Sequence, residues 1–177
     1  MIKFEHLKKT LKVHNDSLEA MMFSTEDLLF EERVKLKCFY CEKYNKTWTC
    51  PPRLPDLDFK KIVSEYQNAM FVISNNIADK DNYEDVRRKS SVEIHKAMLH
   101  LERFLWDNNN SLSVSFVGGS CKLCKNGCSK DECRNPGLAR IPIEALGVNV
   151  ISSLNKIGYN IVFPTDKQFI RAGLILW

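Results

Sequence analysis

The stretch "YEDVRRKSSVEIHKAMLHLERFLWDNNNSLSVSFV", residues 83–117, carries two hydrophobic periods back to back. Across 83–107, Val86, Ile94, Ala97, Met98, Leu101 and Leu105 fall on one stripe, with Arg and Glu elsewhere. That spacing predicts a long amphipathic helix lying over a sheet. Past the asparagine break, Leu112, Val114 and Phe116 alternate with three serines, the period-two signature of a strand with one buried face. A helix that turns directly into a half-buried strand is the pattern of a domain built by packing helices on a sheet.

Working outward, Pro142 suits a first helical turn, and Leu146, Val150, Ile151, Leu154 and Ile157 continue that helix until Gly158 ends it. YNIVF (159–163) and QFIRAGLILW (168–177) flank a Pro-Thr-Asp-Lys turn and read as an antiparallel pair. Upstream, AMFVIS (69–74) is a short apolar strand. It follows a helix with Asp56 as its cap and Phe59, Ile62, Val63 and Tyr66 on one face. Ser24 and Asp27 resemble a capping box that opens a short helix through Leu28 and Leu29, ahead of VKLKC and a cysteine-bearing loop. The order strand, helix, strand, helix, strand, strand favours a right-handed crossover for the first pair. The expected fold is α/β: a single domain over residues 1–177, with a mixed sheet of about four strands, flanking helices and two cysteine-rich loops at one edge.

A chain of 177 residues can bury roughly 70% of its unfolded surface, so a core is possible without disulfides. The hydrophobic fraction of 44% and charged fraction of 27% are those of a globular protein. The N-terminal MIKFEHLKKTLK interleaves charged with apolar residues and lacks the apolar segment of a secretory signal, and no run approaches the roughly 20 residues that span a bilayer. A reducing cytoplasm is therefore expected, with no membrane association. The net charge of +4, from 26 Lys and Arg against 22 Asp and Glu, gives no case for nucleic acid.

All seven cysteines lie in two groups. In a reducing compartment such clusters are metal ligands or redox groups more often than disulfides. Cys121-x2-Cys124-x3-Cys128-x4-Cys133 keeps successive thiolates on short loops that can wrap one 4Fe-4S cubane, four thiolates to four irons. Gly118, Gly119 and Gly127 are candidates to aim backbone amides at sulfur. Zinc is the alternative, although zinc ribbons separate their two cysteine pairs by a longer stretch. The upstream group, Cys38-x2-Cys41-x8-Cys50, supplies three thiols for a second cluster, and Pro51 after Cys50 fixes the chain and withholds an amide donor. Cys50 could also cross to the other cluster, as Cys-Pro cysteines do in two-cluster ferredoxins. The competing reading of Cys38 and Cys50 is that they are buried apolar thiols.

Trp48, Tyr40 and Tyr44 are interleaved with the first group and read as core aromatics near the site. His95 and His100 are five apart on the long helix and do not share a face as a metal pair would, so no histidine is assigned as a ligand. Arg140 and Glu144 suit a salt bridge at a helix start, or Arg140 can serve as a donor to the cluster. The chain has no catalytic Ser-His-Asp set, P-loop or dinucleotide glycine fingerprint.

VKLKC (34–38), YNKTWTCPP (44–52) and CKLCKNGCSKDECRNPGLARIPIEALGVNV (121–150) together resemble a family of small bacterial and archaeal proteins described as predicted metal-binding and of unknown function. Its pattern falls on Lys35 to Cys38, Tyr44, Cys50 to Pro52, Cys121, Cys124, Cys133 to Pro136, Ala139-Arg140 and Glu144 to Gly147. Asn45 stands where a glycine commonly follows the tyrosine, and Asn126-Gly127 is a small insertion. The resemblance implies metal binding of the iron-sulfur kind and supplies no reaction. The combined expectation is a cytoplasmic iron-sulfur protein holding one or two 4Fe-4S clusters, acting in electron transfer or redox chemistry with a redox protein or a small-molecule substrate. The alternatives are a redox enzyme whose three-cysteine cluster has an open iron, and a zinc-stabilised binding module.

Overall fold

The computed structural model describes residues 3–162 and 167–177. Four strands, β1 (Glu19–Phe23), β2 (Ala69–Ile77), β3 (Val114–Val117) and β4 (Gln168–Leu176), form one sheet in the order β1-β2-β4-β3. Five α-helices accompany them: α1 (Phe4–His14), α2 (Glu32–Phe39), α3 (Phe59–Ser64), α4 (Tyr83–Asp107) and α5 (Val150–Lys156). The α/β class, the four-stranded sheet and the limits of the long helix α4 are as the periodicities predicted.

The sheet is antiparallel throughout and not mixed. Both β2 and β3 run antiparallel to β4, so β2 and β3 point the same way, as the helical crossover between them requires. They are not neighbours, because β4 inserts between them. With nine residues and an apolar stretch from Ala172 to Leu176, β4 fills the slot between two strands that each need a partner. β1 has no counterpart among the predicted strands: EAMMF lacks strict alternation, and β1 is fixed as an edge by pairing Met21 with Phe71 and Ala20 with Val72. Residues 159–162 of YNIVF are not in a strand, and Phe163 to Asp166, with most of the expected turn, lie outside the described residues.

Strand β2 explains the two-sided core. Ala69, Phe71 and Ile73 point to a cluster with Leu28, Val63, Ile143, Leu146 and Leu154. Met70 and Val72 point the other way, onto Leu7 and Leu11 of α1 and Ile94, Met98, Leu101 and Leu105 of α4. A strand covered on both faces reads as a continuous apolar run, hence AMFVI. Gly173 of β4 marks the closest approach of α4: a Cβ there would lie 2.5 Å from Met98 Sδ. The helix expected from Pro142 to Ile157 is broken in two. A 3-10 turn over Ile143–Leu146 ends at Gly147, whose φ of +94° is left-handed, and α5 restarts with the Asn149 side chain accepting from the Ser152 amide. Two smaller boundaries also move. Asp58, not Asp56, caps α3, accepting from the Lys61 amide at 3.0 Å, and Ser24 caps only a 3-10 turn over Thr25–Asp27.

Candidate metal centre

Cys38 lies in the last turn of α2, so the first group begins on a helix and only Cys41 and Cys50 belong to the following turns. Successive turns are closed by the Cys41 amide on the Cys38 carbonyl, 3.2 Å, and the Cys50 amide on the Thr47 carbonyl, 3.0 Å. The Asn45 amide donates to the Pro51 carbonyl at 2.9 Å and cinches the loop. Asn45 sits at φ +55°, the left-handed region. This accounts for asparagine where the resembled pattern has glycine, since asparagine tolerates that region better than other side chains do. Cys38, Cys41 and Cys50 line a single cleft of about 540 Å³ whose walls include Val34, Pro51, Ala145 and Val148. Cys50 is 7% exposed. Burial first, then the neighbouring Cys41 and Cys38 thiols, push its pKa up to about 12. Burial, Glu144 and Cys41 raise that of Cys38.

The second group follows β3. Gly118 continues the strand by donating to the Ala172 carbonyl at 2.7 Å, and its own carbonyl accepts from Arg171 Nη1 at 3.1 Å. Residues 118–141 then run without helix or strand. Cys121, Cys124 and Cys128 line a second cavity of about 420 Å³. Cys133 does not line it, but is near enough to raise the Cys121 pKa along with burial, Cys128 and Cys124. The donors to sulfur are the Leu123 amide on Cys121 and Asn135 Nδ2 on Cys124 Sγ, at 3.4 Å. The glycine amides are otherwise engaged: Gly119 donates to Glu144 Oε2 at 3.1 Å and Gly127 to the Cys124 carbonyl at 3.1 Å.

The two groups adjoin. Trp48, between Cys41 and Cys50 in sequence, donates from Nε1 to the Ser129 carbonyl at 2.9 Å, with the Arg53 guanidinium 4.2 Å above its ring. Cys128 is close enough to Cys50 to raise its pKa further. Lys43 and Ser120 line both cavities. Tyr40 is not a core aromatic: it is 75% exposed and meets Phe39 edge-on.

Arg140 does not pair with Glu144. Its guanidinium makes a two-pronged contact with Glu102 of α4, Nη2 to Oε1 at 2.8 Å and Nε to Oε2 at 2.9 Å. Glu102 also accepts from the Ser115 hydroxyl of β3. About two helical turns away, buried His95 donates from Nε2 to the Leu138 carbonyl at 2.8 Å. These contacts clamp the chain just after Cys133 onto α4. Sequence spacing suggested the Arg140–Glu144 pair because the two are four apart, but the chain through Pro142 is not helical and only a 3-10 turn begins at Ile143.

The sequence reading also passed over the charge around the second cavity. Lys43, Lys46, Arg88, Lys122 and Lys125 all line it, and no Asp or Glu does. Among the described residues none of these five is in a salt bridge. Burial, and then Lys43, Arg87 and Arg171, lower the Lys122 pKa. The lysines interleaved in "CEKYNK" and "CKLCK" were the available signal.

Among the described residues, no three His, Cys, Asp or Glu side chains converge on the position of a single metal ion. All seven cysteines are free thiols. The fold and its two adjoining thiol-lined cavities define a cysteine-rich α/β protein. The chain belongs to the family described as predicted metal-binding protein (DUF2284), whose model matches residues 21–177, from within β1 to the last residue. No curated protein and no solved structure matches it.

Proposed function

We propose that this is an iron-sulfur protein of the cytoplasm, with one 4Fe-4S cluster on Cys121, Cys124, Cys128 and Cys133 and a second on Cys38, Cys41 and Cys50, and that it works in electron transfer. The observation that carries this reading is the adjacency of two thiol groups, Cys38, Cys41 and Cys50 lining one cavity and Cys121, Cys124 and Cys128 the other, with Cys128 close enough to Cys50 to raise its pKa. The donor chemistry fits. Thiolates on a single zinc stand only about 3.8 Å apart, from tetrahedral Zn–S bonds of 2.3 Å, whereas those of a cubane bind separate irons and stand further apart. Bound clusters would supply one-electron chemistry. The chain's own contribution is to hold the thiols, donate to sulfur from Leu123 and Asn135, and shield Cys50 with Pro51.

The test is metal and acid-labile sulfide content, with a visible spectrum, after anaerobic purification. Brown protein with iron and sulfide in equal amounts is expected. Colourless protein with stoichiometric zinc and no sulfide would replace this reading with a zinc-stabilised binding module.

A second reading is favoured by the size of the cleft at the three-thiol group. About 540 Å³ is within the range of small-molecule sites, and three cysteines leave one iron of a cubane without a protein thiolate. The protein would then be a redox enzyme acting at that iron. Mild oxidation is expected to convert this cluster alone into a 3Fe-4S species by electron paramagnetic resonance, reversed by added ferrous iron. If both clusters resist, electron transfer is the whole function.

A further inference from the structure

The two cavities differ in character and share a boundary. The smaller is rimmed by Lys43, Lys46, Arg88, Lys122 and Lys125 with no carboxylate, while the larger is walled by Val34, Pro51, Ala145, Val148 and Ile151 and carries Glu31 and Glu144 balanced by Arg33 and Lys37. Lys43 and Ser120 belong to both. Lys122 Nζ donates to the Ser120 hydroxyl at 3.2 Å, but none of the five cations has an ionic partner among the described residues, and like charges gathered at one cavity attract an anion. The thiols account for part of this charge. A cubane carrying two positive charges is a dianion on four thiolates and a monoanion on three, so the two clusters together leave two of the five cations uncompensated.

We infer that the joined cavities form one binding site for an organic anion, with a phosphate or carboxylate end among Lys43, Lys122 and their neighbours and an apolar body lying over the Cys38–Cys41–Cys50 cleft. The inference rests on the reading of these cavities as the functional site, and names the class of molecule that site takes. The cationic half supplies attraction and orientation, and the apolar half supplies affinity by removing hydrocarbon from water. The ligand's body is thereby delivered to the thiol group that has three cysteines, not to the one that has four.

The test is calorimetric titration of anaerobically purified protein at low salt with hexyl phosphate, inorganic phosphate and hexanol. Hexyl phosphate is expected to bind about tenfold or more tightly than inorganic phosphate, and hexanol more weakly still. The double variant Lys43→Gln/Lys122→Gln is expected to weaken both phosphates about tenfold. Ile151→Ser is expected to weaken hexyl phosphate about threefold and leave inorganic phosphate alone. Lys9→Gln/Lys12→Gln on α1 serves as the control and leaves every affinity unchanged. Equal binding of the two phosphates, or unchanged binding by the double variant, overturns the proposal. So does a double variant that loses its metal while keeping its affinity, because the cations would then serve the cluster. Salt-sensitive binding of an acidic electron-carrier protein with no phosphate binding would make the rim a docking surface instead. The titration is read beside the metal analysis: protein that carries stoichiometric zinc and no sulfide yet binds hexyl phosphate would remove the iron-sulfur reading and leave this one standing.

Discussion

Replacing Glu102 by glutamine probes the joint between the long helix and the second cysteine group. Glu102 and Arg140 are 15% and 16% exposed, and two charge-assisted hydrogen bonds of 2.8 and 2.9 Å join them. A hydrogen bond to a charged group contributes roughly 1.5–3 kcal/mol when buried. Removing one partner of a buried pair costs roughly 3–5 kcal/mol, since the other charge is left uncompensated. Glutamine keeps an acceptor, and the residual exposure screens the stranded guanidinium, so the lower figure applies, about 3 kcal/mol. At about 2–4 °C per kcal/mol for a chain of this size, the melting temperature falls by about 6–12 °C. The assay is denaturant unfolding of Glu102→Gln, Arg140→Met and the combination with Glu102→Met. A coupling energy of about 2 kcal/mol is expected, the double replacement recovering most of the loss. Amide exchange over residues 134–141 should accelerate in Glu102→Gln more than in β2, because the contact ties that segment to α4. A loss below about 0.5 kcal/mol, the size of an exposed pair, would refute the clamp.

Three further outcomes follow from particular contacts. Gly173→Ala places a methyl against fully buried Met98 at 2.5 Å and is expected to cost about 1–3 kcal/mol by denaturant unfolding; Met98→Ala in the same chain should recover part of it. His95 has its pKa held below the ordinary 6.5 by burial, with Arg140 adding to the effect and Glu102 opposing it. A base whose folded pKa is depressed contributes stability that is present above its unfolded pKa and lost as pH falls through the folded one. Stability should therefore decline on acidification below about pH 6.5, and His95→Gln should flatten that decline. Cys124→Ser is expected to remove one cluster and loosen the 118–141 loop, because ligation energy is folding energy for a segment with little apolar content. Cys38→Ser should leave that cluster intact by iron and sulfide analysis, and loss of all iron from either change would mean one shared site.

The elements legible in the sequence were those whose signal is local. The α4 stripe, the alternation ahead of Gly118, the apolar run of β2 and the two cysteine groups each show within a window of a few turns. Their periods arise from which face is buried, and burial on one face repeats with the helix or strand itself. The antiparallel sheet did not show, because strand neighbours are chosen across the whole chain: β4 separates β2 from β3 only once all three are formed, and β1 gains its identity from Phe71 opposite Met21. Glycine at 147 could be seen, but not that its left-handed φ would end one turn before α5 began. At the candidate site, the two cysteine groups were evident from spacing. Their surroundings were not. Arg140 turns from Glu144, four residues away, to Glu102 on another element, and Trp48 reaches Ser129 across the site. Arg88, on α4, joins lysines from both cysteine segments around one cavity. Side chains from elements remote in sequence share a local field only after the chain has packed, so the thiols belong to the sequence and the charge and shape around them to the tertiary structure.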